Sequence, residues 1–297
     1  DVLVRNKVSL ISRGSEILRR YMHSEAIDPA IMGYSVAGVV EDVGAEAAAR
    51  FIPGDRVIAV APHAQFVAQD IDAMDGTRVW PLPDAIPFEQ GAFLPLTCGA
   101  VWWAQIAGIQ PGDTVVVLGQ GLVGNLVMQA ARQYLCERLI AVDVIDARCA
   151  LSAQLGADTV INAAADDPIS AVMDLTHGKG ADVVIDCVGG RAGVTSFAQA
   201  LDMSARGGTI HLIGLYHGEP LPLDAGKIQG KKLIGGYFTD LSRAVMQARA
   251  IELVERGRIQ LAPLISHRFP FTAAKDAYDL LYERLAEAMG VLLIWEG

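Results

Sequence analysis

The sequence predicts a two-domain α/β protein in which a doubly wound parallel sheet follows a β-rich N-terminal domain. Three observations carry this expectation. From Thr114 onward, short β-rich runs alternate with helical segments. A glycine loop, Gly119-Gln120-Gly121-Leu122-Val123-Gly124, joins the first of those runs to an amphipathic stretch. Before residue 95 the texture is different, with Gly33, Gly38, Gly44 and Gly54 punctuating alternating apolar runs. A chain of 297 residues with 52% hydrophobic content is too long for one small core and apolar enough to build two.

Taken in order, Asp1-Val2-Leu3-Val4-Arg5 reads as mid-strand and predicts a segment ahead of it. Val36 to Val43 and Arg56 to Val60 are strand candidates, with Pro53-Gly54-Asp55 as the turn before the second. Pro111-Gly112-Asp113 repeats that device before the parallel sheet. Its strands are expected at Thr114 to Leu118, Leu139 to Asp143, Thr159 to Ile161, Asp182 to Val188, Gly208 to Ile213 and Leu233 to Ile234, with connections long enough for helical crossovers. Leu122, Val123, Leu126, Val127, Ala130, Ala131 and Tyr134 recur at helical spacing, and Gly156 ends the following helix. The tail predicts a helix from Thr272 to Ala288 and a strand from Val291 to Trp295 that returns to the first domain. The expected division is residues 1–94, a β-rich domain; 95–240, a dinucleotide-binding domain; and 241–297, a connecting helix and the return. There is no internal repeat.

Composition narrows the function. A net charge of -10, with paired bases only at short runs such as Arg19-Arg20 and Lys231-Lys232, argues against a nucleic-acid or anionic-membrane surface and for a small-molecule substrate. The four cysteines, Cys98, Cys136, Cys149 and Cys187, form no C-x-x-C pair, so neither a zinc knuckle nor a disulfide framework is indicated and a reducing cytoplasm is the expected setting. No apolar run reaches the roughly 20 residues of a membrane span, and no secretory pattern opens the chain.

Gly119, Gly121 and Gly124 follow a hydrophobic strand and open a helix, the context that makes such a loop a dinucleotide cradle. The first glycine permits the turn, the second lets backbone approach a pyrophosphate, and the third lets helix and sheet pack closely. Leu122 and Val123 stand at the helix N-terminus, whose free N–H groups attract phosphate. Asp143 ends the next strand, where a carboxylate accepts the adenosine ribose hydroxyls, or else caps the following helix. Val144 follows it. NAD is favoured, because a 2′-phosphate a few ångströms from that carboxylate would meet a repulsion of about 4 kcal/mol per unit charge. Arg148 lies along the ribose edge or on a solvated helix face.

The landmarks Gly33-Tyr34-Ser35-Val36-Ala37-Gly38-Val39-Val40, Pro53-Gly54-Asp55-Arg56-Val57, Pro111-Gly112-Asp113-Thr114-Val115, the glycine loop, Leu155-Gly156-Ala157-Asp158, Asp182 to Gly189 and Gly207-Gly208 through Gly214 run nearly the whole chain. In that order they resemble the medium-chain dehydrogenase/reductase superfamily. The resemblance implies a Rossmann domain beside a GroES-like, β-rich catalytic domain. It also implies cofactor contacts at Cys187, Val188, Gly214 and Leu215, with Tyr216 and His217 as pocket candidates. Cys187 otherwise reads as packing rather than as a nucleophile.

The departures matter as much. Alcohol dehydrogenases of this family place a catalytic zinc on the Cys of a Cys-Gly-Thr/Ser-Asp run, on the His of Gly-His-Glu and on a third residue. Here the runs read Ser12-Arg13-Gly14-Ser15-Glu16 and Gly33-Tyr34-Ser35, the third position falls near Pro95, and Cys98 is not clearly its counterpart. The four-cysteine lobe that holds structural zinc is also missing between Asp55 and Gln69. The chain therefore resembles a zinc-free subgroup that includes sugar or cyclitol dehydrogenases and bacteriochlorophyllide-dehydrogenase-like proteins. Without the metal, hydroxyl and imidazole groups must move the proton and steady the oxyanion. Ser15 matches the family's relay hydroxyl, Tyr34 replaces the zinc-ligating His, and His63 lies on a segment resembling the cleft wall. Each has a second reading: Ser15 as a helix cap, Tyr34 as a core phenol, His63 as a surface loop residue. Trp102 and Trp103 read as core before pocket wall.

The leading expectation is a zinc-independent, NAD-dependent oxidoreductase moving a hydride between nicotinamide and a secondary alcohol or ketone, such as a sugar, cyclitol or polyol. Two alternatives stay open: an NADPH-dependent quinone or enone reductase, and a catalytically inactive nucleotide-binding adaptor. Family resemblance implies a homodimer pairing the last parallel strands, with the apolar run near Leu233 to Phe238 compatible with that edge.

Overall fold

The computed structural model describes residues 1–21, 32–73, 77–214, 220–236 and 242–295, leaving aside the side chains of 18–21. The chain divides into two compact units, one of residues 1–98, 241–257 and 261–297, the other of residues 99–240 and 258–260.

Among the described residues, the first unit holds a seven-stranded sheet. Its strands are β1 (Val2–Ile11), β2 (Val36–Val43), β3 (Arg56–Ala59), β4 (Phe66–Gln69) and β5 (Val79–Pro81), joined by two from the tail. β1 is its spine. Alternate residues Val2 and Val4 pack on Val36, Val40, Val57 and Val67, as a half-buried strand requires. From Val8 to Ile11 both faces of β1 are buried, because the tail covers the second face. There Ile11, Ile17, Leu280, Leu281, Val291 and Leu293 form a separate core.

The second unit carries six parallel strands among its described residues: β6 (Thr114–Leu118), β7 (Arg138–Asp143), β8 (Thr159–Asn162), β9 (Ala181–Asp186), β10 (Ser204–Leu212) and β11 (Lys232–Gly235). Their order is β11-β10-β9-β6-β7-β8. The chain winds one way from β6 to β8 and the other way from β9 to β11, so the reversal falls between β6 and β9. Crevices at the carboxyl ends of strands form at such a switch point. In register, Leu118 lies opposite Asp186, which sets the glycine loop beside Cys187 and Val188. The fourth strand stops at Asp186, two residues short of the expected Val188, because the Asp186 carboxylate takes the Val188 N–H at 3.0 Å and turns the chain.

The tail joins the first unit's sheet: β12 (Ile265–Pro270) and β13 (Gly290–Ile294) are parallel to each other, and β13 pairs antiparallel with β1. The helix between them spans Ala274–Glu283, preceded by a turn of tighter helix at Phe271–Ala273. It ends five residues before Ala288, whose burial in the core under β13 takes it off the helix. Among the described residues, no helix is long and apolar enough to cross a membrane.

Candidate active site

In the parallel unit the site is made mostly of backbone. Gly119 has φ +81°, and a Cβ there would lie 2.7 Å from Val188 Cγ2. A Cβ on Gly124 would lie 1.7 Å from the Gly119 carbonyl oxygen, so no side chain fits. Gly214 is equally confined, 2.1 Å from the Val188 carbonyl oxygen by the same measure. Around Gly121 the nearest atom to such a Cβ is Arg148 Nη1 at 3.7 Å, which leaves its backbone approachable. Gly121 caps the helix Leu122–Ala131 without a side-chain hydrogen bond, and the free N–H groups of that first turn, from half-buried Leu122 and Val123, suit a pyrophosphate.

Asp143 does more than sequence reading assigned to it. Its Oδ2 accepts the Gln120 N–H at 2.6 Å, and its Oδ1 accepts those of Val144 and Ile145 at 2.8 and 2.9 Å. The carboxylate thus pins the loop and caps the next turn. Arg148 Nη1 is 3.8 Å from Asp143 Oδ2, with the side chain 13% exposed. Burial lowers the Arg148 pKa, and Asp143 opposes that shift. Val144 is exposed. Gln120, buried beneath the loop, donates to the Val117 carbonyl at 2.8 Å and accepts from Ser152 Oγ at 3.1 Å; sequence reading missed this support. Burial pushes the Cys187 thiol well above its ordinary pKa, which fits packing against the loop. Leu215, Tyr216 and His217 lie outside the described residues.

In the antiparallel unit the structure builds a buried side-chain network around the three expected hydroxyl and imidazole residues. β1 runs straight into the helical segment Arg13–Tyr21, which is wound with π-type hydrogen bonding. This sets Ser9, Ser12, Ser15 and Glu16 in succession along one stretch. The Tyr34 hydroxyl donates to Ser12 Oγ at 2.7 Å and has Ser15 Oγ at 3.5 Å, a loose contact. His63 is not a surface loop residue. Its Nδ1 is 2.8 Å from Ser9 Oγ and its Nε2 is 2.8 Å from Glu16 Oε2. The structure therefore joins Ser15 to Tyr34, and ties His63 to Glu16 instead. Glu16 is fully buried. Its Oε1 accepts the Ser12 N–H at 2.7 Å and its Oε2 accepts the Tyr278 hydroxyl at 2.6 Å. Trp295 Nε1 donates to Ser9 Oγ at 2.8 Å. Ser9, Tyr278 and Trp295 carried no sequence signal, since each is ordinary alone and Tyr278 and Trp295 reach the network only because the tail folds back. Trp102 and Trp103 are buried, as core residues.

A zinc ion does not fit this donor set. Where the family resemblance puts ligands there are hydroxyls bonded to each other and an arginine; His63 spends both ring nitrogens on Ser9 and Glu16. Burial raises the Cys98 thiol to about 12. Among the described residues no three His, Cys, Asp or Glu side chains converge as a metal cluster.

The profile of the zinc-binding dehydrogenase family matches residues 123–256. Sorbitol dehydrogenase 1 of Saccharomyces cerevisiae is 31% identical over 84% of this chain and 78% of its own length. D-xylulose reductase of Morganella morganii is 33% identical over 71% of this chain and 60% of its own. An Escherichia coli CFT073 alcohol dehydrogenase solved with NADH superposes with a TM-score of 0.81 at 21% identity, covering 99% of this chain and 91% of that one. The chain belongs to the zinc-type alcohol dehydrogenase-like branch of the medium-chain dehydrogenase/reductase superfamily. It is a nicotinamide-dependent oxidoreductase.

Proposed function

We propose that this enzyme interconverts a secondary alcohol and its ketone, on a sugar, cyclitol or other polyol, with NAD as hydride carrier and without zinc. The observation that carries this reading is the Tyr34–Ser12 hydroxyl pair, with Ser15 beside it, at positions where the family places metal ligands and relay. The polyol relatives support the substrate class, and Asp143 supports NAD.

The bound nicotinamide supplies the hydride acceptor. Gly119, Gly121, Gly124 and Gly214 make room for it, the Leu122 and Val123 N–H groups receive its phosphates, and Asp143 receives a ribose hydroxyl. Val144, Arg148, Cys187 and Val188 line its remaining edge, and Leu215, assigned there by the family resemblance, lies outside the described residues. In the other unit, the Tyr34 hydroxyl, which donates to Ser12 in this structure, would turn its hydrogen toward the reacting oxygen and steady developing negative charge there, doing by hydrogen bond what a Lewis acid does elsewhere. Ser15 and Ser12 pass the proton on, and His63, held by Ser9 and Glu16, packs behind Gly33 rather than joining their hydroxyls. We further propose a cytoplasmic homodimer paired through the β11 edge, where Leu233 is 40% exposed.

The test is NADH formation across polyols, sugars, cyclitols and hydrophobic secondary alcohols, run with elemental analysis. Turnover by protein lacking stoichiometric zinc is the expected result. Arg148 beside Gly121 keeps a second reading in view, an NADPH-dependent quinone or enone reductase, since a guanidinium suits a 2′-phosphate. Titrating both cofactors separates the two, and clearly tighter NADPH binding sinks the first. Binding of either cofactor with no turnover on any alcohol, ketone or enone would mark a nucleotide-binding adaptor.

A further inference from the structure

Ser9, His63 and Glu16 stand in line with both contacts at 2.8 Å, the arrangement of a nucleophile, a base and a carboxylate. Ser9 is completely buried and already accepts the Trp295 N–H, so no acyl group can reach it. The chain must serve the site in another way.

Donor and acceptor chemistry fixes its direction. An indole N–H only donates, so one lone pair of Ser9 Oγ is taken. An ionised Glu16 only accepts, and Ser12 N–H, Tyr278 O–H and His63 all point at it. Nε2 of His63 must then carry the hydrogen, and with Nδ1 bare the Ser9 O–H turns to donate to it. Every group in the chain has a partner in this arrangement.

Two contacts carry that order to Tyr34. Glu16 Oε1 holds the backbone N–H of Ser12, whose hydroxyl is the acceptor for Tyr34. On the donor side, Gly33, the neighbour of Tyr34, has φ +90° and packs directly on the ring: a Cβ there would sit 2.8 Å from His63 Cγ and Cδ2. The backbone N–H of His63 also donates to the Met32 carbonyl at 2.9 Å. The ring that Glu16 orients is thus the surface on which Gly33-Tyr34 rests.

We propose that Glu16 is a positioning residue: by holding His63 as its Nε2–H tautomer against Gly33 and by holding the Ser12 backbone, it sets both ends of the Tyr34–Ser12 hydrogen bond. This rests on the reading of Tyr34 as the proton donor, and it assigns the work to a carboxylate that never touches substrate. A misplacement of about 1 Å costs roughly 10²-fold in rate, so Glu16→Gln should lower kcat by about that factor while leaving the KM for NAD unchanged.

The decisive experiment reads nitrogen and tyrosine resonances in full-length protein at neutral pH, with His63 assigned by its loss in His63→Gln and Tyr34 by its loss in Tyr34→Phe. Wild type should show His63 protonated at Nε2 and bare at Nδ1. In Glu16→Gln the carboxamide donates where the carboxylate accepted, so the ring should switch to Nδ1–H and the Tyr34 Cζ resonance should move. Ser9→Ala should leave both the tautomer and Tyr34 as they were. If Glu16→Gln does not fold, His63→Gln answers in its place, because removing the ring should move Tyr34 as well. A wild-type His63 protonated at Nδ1, or a Tyr34 resonance unmoved by either variant, overturns the proposal. These readouts need no substrate, so a failed alcohol screen would count against the proposed reaction and not against Glu16.

Discussion

The two units build their candidate sites from opposite materials. In the parallel unit the cradle is backbone, and its features lie where glycines leave room: Gly119, Gly121 and Gly124 fall within six residues of chain, and the close approach of Gly124 to Gly119 is local. In the antiparallel unit the network is side chains, drawn from β1, from the loops holding Tyr34 and His63, and from the tail residues Tyr278 and Trp295. A backbone site tolerates changes in most side chains but not an added Cβ. A side-chain network tolerates small backbone shifts but not the loss of a donor or acceptor, since a buried unpaired group costs about 1–3 kcal/mol.

The contrast is sharpest at Gly124→Ala. With 1.7 Å between the new Cβ and the Gly119 oxygen, the helix must move off the sheet. Overpacking of this kind costs about 1–3 kcal/mol or more, and NAD(H) binding, followed by fluorescence titration, should be lost. A variant that binds normally would mean the loop is looser than its geometry. Next in size is Tyr34→Phe, which should cost roughly 10²- to 10⁴-fold in kcat with the NAD dissociation constant held within a few-fold; Ser15→Ala should follow the same pattern more weakly, given its 3.5 Å contact. Near-normal turnover in both would move the proton route elsewhere.

A third effect separates stability from chemistry. His211, fully buried on β10, has its pKa lowered from 6.5 by burial, which its backbone neighbours Gly236 and Trp103 only partly oppose. The unfolded chain therefore takes up a proton first, so its contribution is intact above about pH 6.5 and is lost as pH falls from there through the folded value. Across that range, melts should show wild type losing stability relative to His211→Leu as pH falls; a gap that stays constant would remove His211 from the account. The smallest effect expected is none at all. With the Cys98 thiol raised to about 12, alkylating reagents near pH 8 should leave it unmodified in the folded protein, and rapid labelling would show that its surroundings open.

How far each unit was legible follows from the same difference. All six parallel strands and the glycine loop could be placed from sequence because their signals are contiguous: an apolar run, a turn, an amphipathic stretch. The end of the fourth strand was misplaced because a side chain, Asp186, turns the chain there, and hydropathy does not register a side chain bonding its own backbone. Asp143 was singled out by position, with capping of the segment after it as one reading, yet its bond to the Gln120 N–H was not foreseen. In the other unit Ser15, Tyr34 and His63 were singled out by likeness to a family pattern, while Ser9, Tyr278 and Trp295 were not. No local rule links residues 262 positions apart, such as Glu16 and Tyr278. The pairing of β13 with β1 creates that proximity, and pairing between distant strands is what sequence patterning specifies least.

The central claim is that hydroxyls and a buried carboxylate–imidazole pair have taken over the metal's place, and metal content measured on active enzyme tests it most directly. Protein stripped with a chelator and then analysed for zinc should turn over a secondary alcohol with NAD at an undiminished rate. Stoichiometric zinc, with activity abolished by the chelator and restored by the metal, would contradict the account.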